Sequence, residues 1–119
     1  FSWSPDSQKL AYLSQKSGQD NIWLVNANGS NDTQLTDNQD KNLYLNCPLW
    51  SPDGKRIAYT TKTGNTSAEG KAIHKVWIVD LETKKSASVT QPDSFLRLLG
   101  WGANGNELFA VSTTGFGTV

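Results

Sequence analysis

Charge imbalance, paired cysteines, long apolar runs and helical periodicity are all missing from this 119-residue sequence. Each absence excludes something. The 11 lysines and arginines equal the 11 aspartates and glutamates, and they are scattered along the chain. That removes the basic footprint of a nucleic-acid binder or a membrane-surface protein. No apolar run approaches the roughly 18–20 residues that span a bilayer, so no membrane insertion is expected in this segment. The opening Phe1-Ser2-Trp3-Ser4 has the pattern of neither a signal peptide nor a transit peptide. Any secretion signal lies outside these residues.

Cys47 is the lone cysteine, so no internal disulfide can form and the redox compartment is not revealed. Its alternation with Leu45 and Leu49 marks it as a small buried hydrophobe rather than a reactive thiol, which would need a nearby base or cation. His74 is the lone histidine, and it falls in a Gly/Ser/Thr/Asn-rich stretch read as a solvated loop. A hydrolase triad is therefore left without a credible base. Neither a Gly-x-Ser-x-Gly elbow nor a phosphate-cradling Gly-x-x-x-x-Gly-Lys loop occurs. One histidine and one cysteine cannot supply the usual zinc ligands. The expectation is a segment with no catalytic constellation of its own, no cofactor and no metal; membership in a larger enzyme stays open.

What the sequence does contain is a repeat. Trp50-Ser51-Pro52-Asp53-Gly54-Lys55-Arg56-Ile57-Ala58-Tyr59 nearly copies Trp3-Ser4-Pro5-Asp6-Ser7-Gln8-Lys9-Leu10-Ala11-Tyr12, and a worn third copy runs from Trp101 to Ala110. Second anchors follow at Trp23 and Trp77, and a segment ending in threonine, Thr36 or Thr90, lies 13 residues beyond each. The phrase recurs after 47 and then 51 residues, near the ~40–50 of four-stranded propeller blades. Such a unit cannot bury its own faces and must stack on its siblings.

Each unit reads as four short strands. The first is clearest at 43–50, where Leu45, Cys47 and Leu49 alternate with Asn46, Pro48 and Trp50. A tight turn follows, with proline presetting φ and Asp-Gly supplying a polar residue and a glycine able to take positive φ. The second strand is expected at 9–14, 56–61 and 107–113. The third, at 22–25 and 76–79, is continuously apolar, as suits a strand covered on both faces. A polar turn and a brief fourth strand complete the unit. We expect an all-β fold of four-stranded antiparallel propeller blades: blade 1 at about 1–40, blade 2 at about 41–92 and the start of blade 3 at about 93–119. After Thr113 no third or fourth strand is expected. An open arc of blades leaves apolar faces uncovered, so the natural polypeptide is expected to be longer, with further blades on both sides, or else to self-associate into a ring.

The repeated residues Trp3, Pro5, Asp6, Trp23, Trp50, Pro52, Asp53, Gly54, Trp77 and Trp101 are read as structural. Asp6 and Asp53 would form a row of ligand-binding carboxylates in a functional reading, but bonding within their own turns outweighs it. Likewise, tryptophans at matching positions point to inter-blade packing ahead of ligand stacking. Asp32, Asp37 and Asp40 form an acidic stretch without EF-hand spacing, where turn chemistry outweighs calcium. Three Asn-x-Ser/Thr triplets begin at Asn28, Asn31 and Asn65 and are read as coincidence in a Ser/Thr/Asn-rich chain. The copies differ most at an inserted loop, Thr63 to Lys75. That loop and the connection Thr36 to Asn42 are the candidate partner-contact regions.

The Trp-Ser-Pro-Asp-Gly-Lys phrase, Ile22-Trp23-Leu24-Val25-Asn26-Ala27-Asn28-Gly29 and Leu35-Thr36 together resemble the TolB-type β-propeller repeat, a relative of the tryptophan–aspartate repeats. The likeness is strong over 1–62 and 75–90 and weak over 91–119. It implies a propeller that binds a protein or peptide partner in a bacterial periplasm or other extracytoplasmic setting. The same repeats build the propellers of prolyl-oligopeptidase-like and tricorn-like serine peptidases and the sensory domains of bacterial transmembrane regulators, so both alternatives stay open.

Overall fold

Alternation along single strands divides the apolar residues of this protein between two separate cores. In the computed structural model, which describes residues 1–66, 72–89, 95–112 and 115–118, eleven strands form three antiparallel sheets. The first holds β1 (Ser2–Trp3), β2 (Lys9–Ser14), β3 (Asn21–Asn26) and β4 (Thr33–Gln34) in sequential order. The second holds β5 (Leu43–Trp50), β6 (Arg56–Thr66), β7 (Ala72–Asp80) and β8 (Ser86–Val89), again sequentially. The third pairs β9 (Phe95–Trp101), β10 (Leu108–Ser112) and β11 (Gly115–Thr118). Among the described residues there is no helix, and so none that is long and apolar enough to cross a membrane. These are the blades of an all-β propeller arc.

The registers superpose the copies. Tyr12 lies opposite Trp23 in the first sheet, and Tyr59 lies opposite Trp77 in the second. Period-two alternation on β6 and β7 then sends Ile57, Tyr59 and Val79 toward the first sheet, while Ala58 and Val76 face the third. One core joins Ala11, Ile22 and Leu35 to Leu45, Trp50, Ile57, Tyr59 and Val79. The other joins Ala58 and Val76 to Leu98, Leu108 and Ala110. Both lie between blades, because a single sheet has no second layer of its own.

Three expectations change. First, Leu45 and Leu49 do not share a face. A β-bulge between Asn46 and Leu49 puts Leu45 in the first core and Leu49 against the second. Pro48 lies in that bulge, where its missing N–H breaks no ladder. The third sheet shifts register at the equivalent place, between Gly100 and Leu98. The side chain of Cys47 lies outside the described residues. Second, the stretch Thr63 to Lys75 is largely strand: Thr63–Thr66 extends β6, 72–75 opens β7, and His74 pairs across to Lys62. Residues 67–71 lie outside the described residues. Third, β11 gives the last unit a third strand, pairing Val111 with Phe116 and Ser112 with Gly115. Two glycines in a four-residue strand hid it from an apolar-run reading.

Candidate functional site at the blade rim

The turns after β1, β5 and β9 line up along one rim, and each is closed from within. In the second, Ser51 N–H donates to Arg56 O and Gly54 N–H to Ser51 O. The Ser51 hydroxyl donates to Asp53 Oδ1 at 2.5 Å while accepting from Arg56 N–H, and Lys55 N–H donates to the same carboxylate oxygen at 2.9 Å. The first turn repeats this with Ser4, Asp6, Gln8 and Lys9. The Ser4 hydroxyl, then the Gln8 N–H, holds the Asp6 carboxyl below its ordinary range; the Ser51 hydroxyl and Lys55 N–H do the same for Asp53. In the worn third turn Gly102 has no hydroxyl to offer, but the backbone closure survives at 3.0 Å and Asn104 Oδ1 accepts from Asn106 N–H.

Successive turns stack. A methyl group placed on Gly54 would sit 3.8 Å from Pro5 Cδ, and one on Gly105 would sit 3.8 Å from Pro52 Cδ. The tryptophans bind across the same seams. Trp50 Nε1–H donates to Ser2 O at 2.9 Å, and Trp101 Nε1–H donates to Leu49 O at 3.0 Å. Each indole thus reaches the carbonyl just before the matching tryptophan of the preceding blade. Trp3, the first of the series, is 48% exposed. The strand-centre tryptophans behave differently: Trp77 Nε1–H donates to Thr61 Oγ1, whereas the Trp23 ring lies under the Lys16 ammonium at 3.9 Å and its buried Nε1–H meets no acceptor among the described residues.

The two seams between neighbouring turns differ: one is filled and the other is open. In the cleft between the second and third, the Arg56 guanidinium lies 4.9 Å over the Trp101 ring and donates to Gly105 O at 2.8 Å. In the cleft between the first and second, Lys9 stands at the place of Arg56. There a cavity of about 390 Å³ remains, lined by Pro5, Asp6, Lys9, Trp50, Asp53 and Gly54 among others.

The connection Thr36 to Asn42 is tied down from inside by a group that sequence reasoning missed. Asn21 is fully buried. Its Oδ1 accepts from Thr36 Oγ1 at 2.8 Å and Asn38 N–H at 2.7 Å, and Thr36 Oγ1 accepts from Ile22 N–H. Asn38 Nδ2 then reaches Asp20 O, Asp40 O and Leu43 O, and Asp20 Oδ2 accepts from Leu45 N–H. This chain of bonds carries blade 1 into blade 2. The only sequence signal was a polar pair, Asp20-Asn21, beside an apolar strand. Asp32, Asp37 and Asp40 do not converge: Asp32 takes Lys16 and Tyr12, Asp37 takes Gln39, and Asp40 takes the Asn42 N–H. Among the described residues no three acidic, histidine or cysteine groups form a metal-holding cluster.

Comparison with known proteins agrees with this geometry. The family described as the prolyl oligopeptidase N-terminal β-propeller domain matches residues 1–102. The uncharacterized peptidase YuxL of Bacillus subtilis is 35% identical over 72 residues, 60% of this chain and 10% of its own. The Tol-Pal system protein TolB of Hahella chejuensis is 29% identical over 85 residues, 71% of this chain and 18% of its own. The crystal structure of TolB from Acinetobacter baumannii superposes with a TM-score of 0.71 at 24% identity, covering 93% of this chain and 25% of that one; it shows the fold. The chain thus spans between a tenth and a quarter of the length of these relatives.

Proposed function

The chain belongs to the prolyl oligopeptidase N-terminal β-propeller domain family, and on that premise we propose that it is a non-catalytic propeller segment that binds a protein or peptide at its rim. The observation that carries this reading is a row of turns, each fixed by its own hydrogen bonds, with an open cleft between the first and second. Rigid elements holding open clefts lose little conformational entropy on binding. Further blades are supplied by a longer chain or by self-association. The likeness to TolB supports an extracytoplasmic, periplasmic setting.

A second reading has its own support. The family match and the identity to YuxL favour the propeller of a serine peptidase, in which a separate domain carries the nucleophile and this segment contributes to the ring. One experiment separates the two. The natural polypeptide containing these residues is treated with a fluorophosphonate probe and with peptide anilides, and its binding to a peptide panel is measured. Labelling outside residues 1–119 together with hydrolysis establishes the peptidase. Saturable binding without either establishes the binding scaffold. Absence of both overturns the two readings together.

A further inference from the structure

The two clefts of the rim have the same frame but different contents. Between the second and third turns the frame consists of an indole, Trp101, and a turn carbonyl, Gly105 O; the chain fills it with its own Arg56. Between the first and second turns the corresponding groups are Trp50 and Gly54 O, and here Asp6 and Asp53 also line the wall. Here the residue at the arginine position is Lys9. Lysine is a flexible point charge with no planar fork to bridge two acceptors, and although Lys16 lies over Trp23, no such ring contact joins Lys9 to Trp50 among the described residues. The Gly54 carbonyl accepts no hydrogen bond among the described residues, in contrast to Gly105.

We propose that the cleft between the first and second rim turns is a receptor for the guanidinium of an arginine side chain presented by a bound polypeptide. The incoming group takes the place that Arg56 occupies one blade further on: one face toward Trp50, one N–H to Gly54 O, and the remaining N–H groups toward Asp6 and Asp53. Among the lining residues two carboxylates, Asp6 and Asp53, stand with one ammonium, Lys9, while Arg56 and Lys55 act on Asp53 from outside the cavity; a guanidinium adds a cation on the carboxylate side of the cleft. A cavity of about 390 Å³ accommodates a side chain with its flanking backbone. The proposal rests on the reading of this propeller as a polypeptide binder and names the chemistry that it recognises.

The test uses the natural polypeptide containing these residues, titrated with three acetylated pentapeptides that differ only in a central arginine, lysine or citrulline within glycines. Citrulline keeps the shape of arginine and removes its charge. The arginine peptide should shift the Trp50 indole N–H and Gly54 amide resonances and bind at least about fivefold more tightly than the citrulline peptide. Lys9→Arg should fill the cleft from within and abolish those shifts without lowering the unfolding midpoint. Equal binding of the arginine and citrulline peptides overturns the proposal, as does undiminished binding to the Lys9→Arg variant. Arginine-selective binding that maps away from Trp50 and Gly54 overturns this cleft and leaves the propeller a peptide binder. Failure of every peptide, including those of the wider panel, overturns both.

Discussion

Ser7 holds a left-handed backbone, φ 60°, at the turn position where the later copies place Gly54 at 71° and Gly105 at 76°. A residue with a Cβ is strained there, and glycine is not. Ser7→Gly should therefore raise stability by about 0.5–1 kcal/mol, after allowing for the added freedom of the unfolded chain. Gly54→Ala should lower it by about 1–2 kcal/mol. Urea unfolding of the two variants measures both, and a stabilising Gly54→Ala would refute the account. The neighbouring carboxylates give a pH dependence of definite sign. Asp6 and Asp53 have folded-state values below the ordinary one because their turns donate to the charged form. Their contribution is complete above the unfolded value of ~3.9 and is lost as pH falls through the lowered folded values. Carboxyl-detected NMR should place both midpoints below that of a reference aspartate; a midpoint at or above it would show that the turn bonds do not persist in solution.

At the scale of strands, the legible part of the sequence was its periodicity. Trp23 and Trp77 announced β3 and β7 because continuous apolar runs suit strands sandwiched between blades, and the Ser-Pro-Asp phrase announced the turn that follows. The illegible part was whatever the backbone decides without a side-chain signature. The bulge at Cys47-Pro48 reverses the face of Leu49 by adding one residue to one strand, and alternation alone carries no mark of it. β11 was hidden because its hydrogen bonds come from a strand with two glycines. Asn21 was hidden because a buried amide and a solvated one look alike in sequence. Its network predicts a large effect: Asn21→Ala leaves the Thr36 hydroxyl and the Asn38 N–H without their acceptor and should cost about 2–4 kcal/mol. Hydrogen exchange should show the Ile22 and Asn38 amides losing protection first. Unchanged protection at both would mean that the connection between blades is held by other contacts.

At the scale of the whole, the described residues form an arc of blades with a core at each of the two seams between its three sheets. Phe1 is 84% exposed and Trp3 48%, while Leu99 and Phe109 on the last blade are 45% and 42% exposed. Apolar surface of this kind drives association, so residues 1–119 on their own should show mass rising with concentration in light scattering. Trp3→Asp combined with Phe109→Asp should bring the mass back toward that of a single chain; a wild-type segment that stays monomeric at every concentration would count against this. The seams carry one further implication. Trp50 and Trp101 recognise the carbonyls of Ser2 and Leu49, two residues with nothing in common except the peptide group. The recognition is addressed to a position and is blind to the side chain there. A gene for such a chain can therefore gain or lose a whole copy by duplication or deletion and find every new seam already compatible, while the side chains around it drift freely.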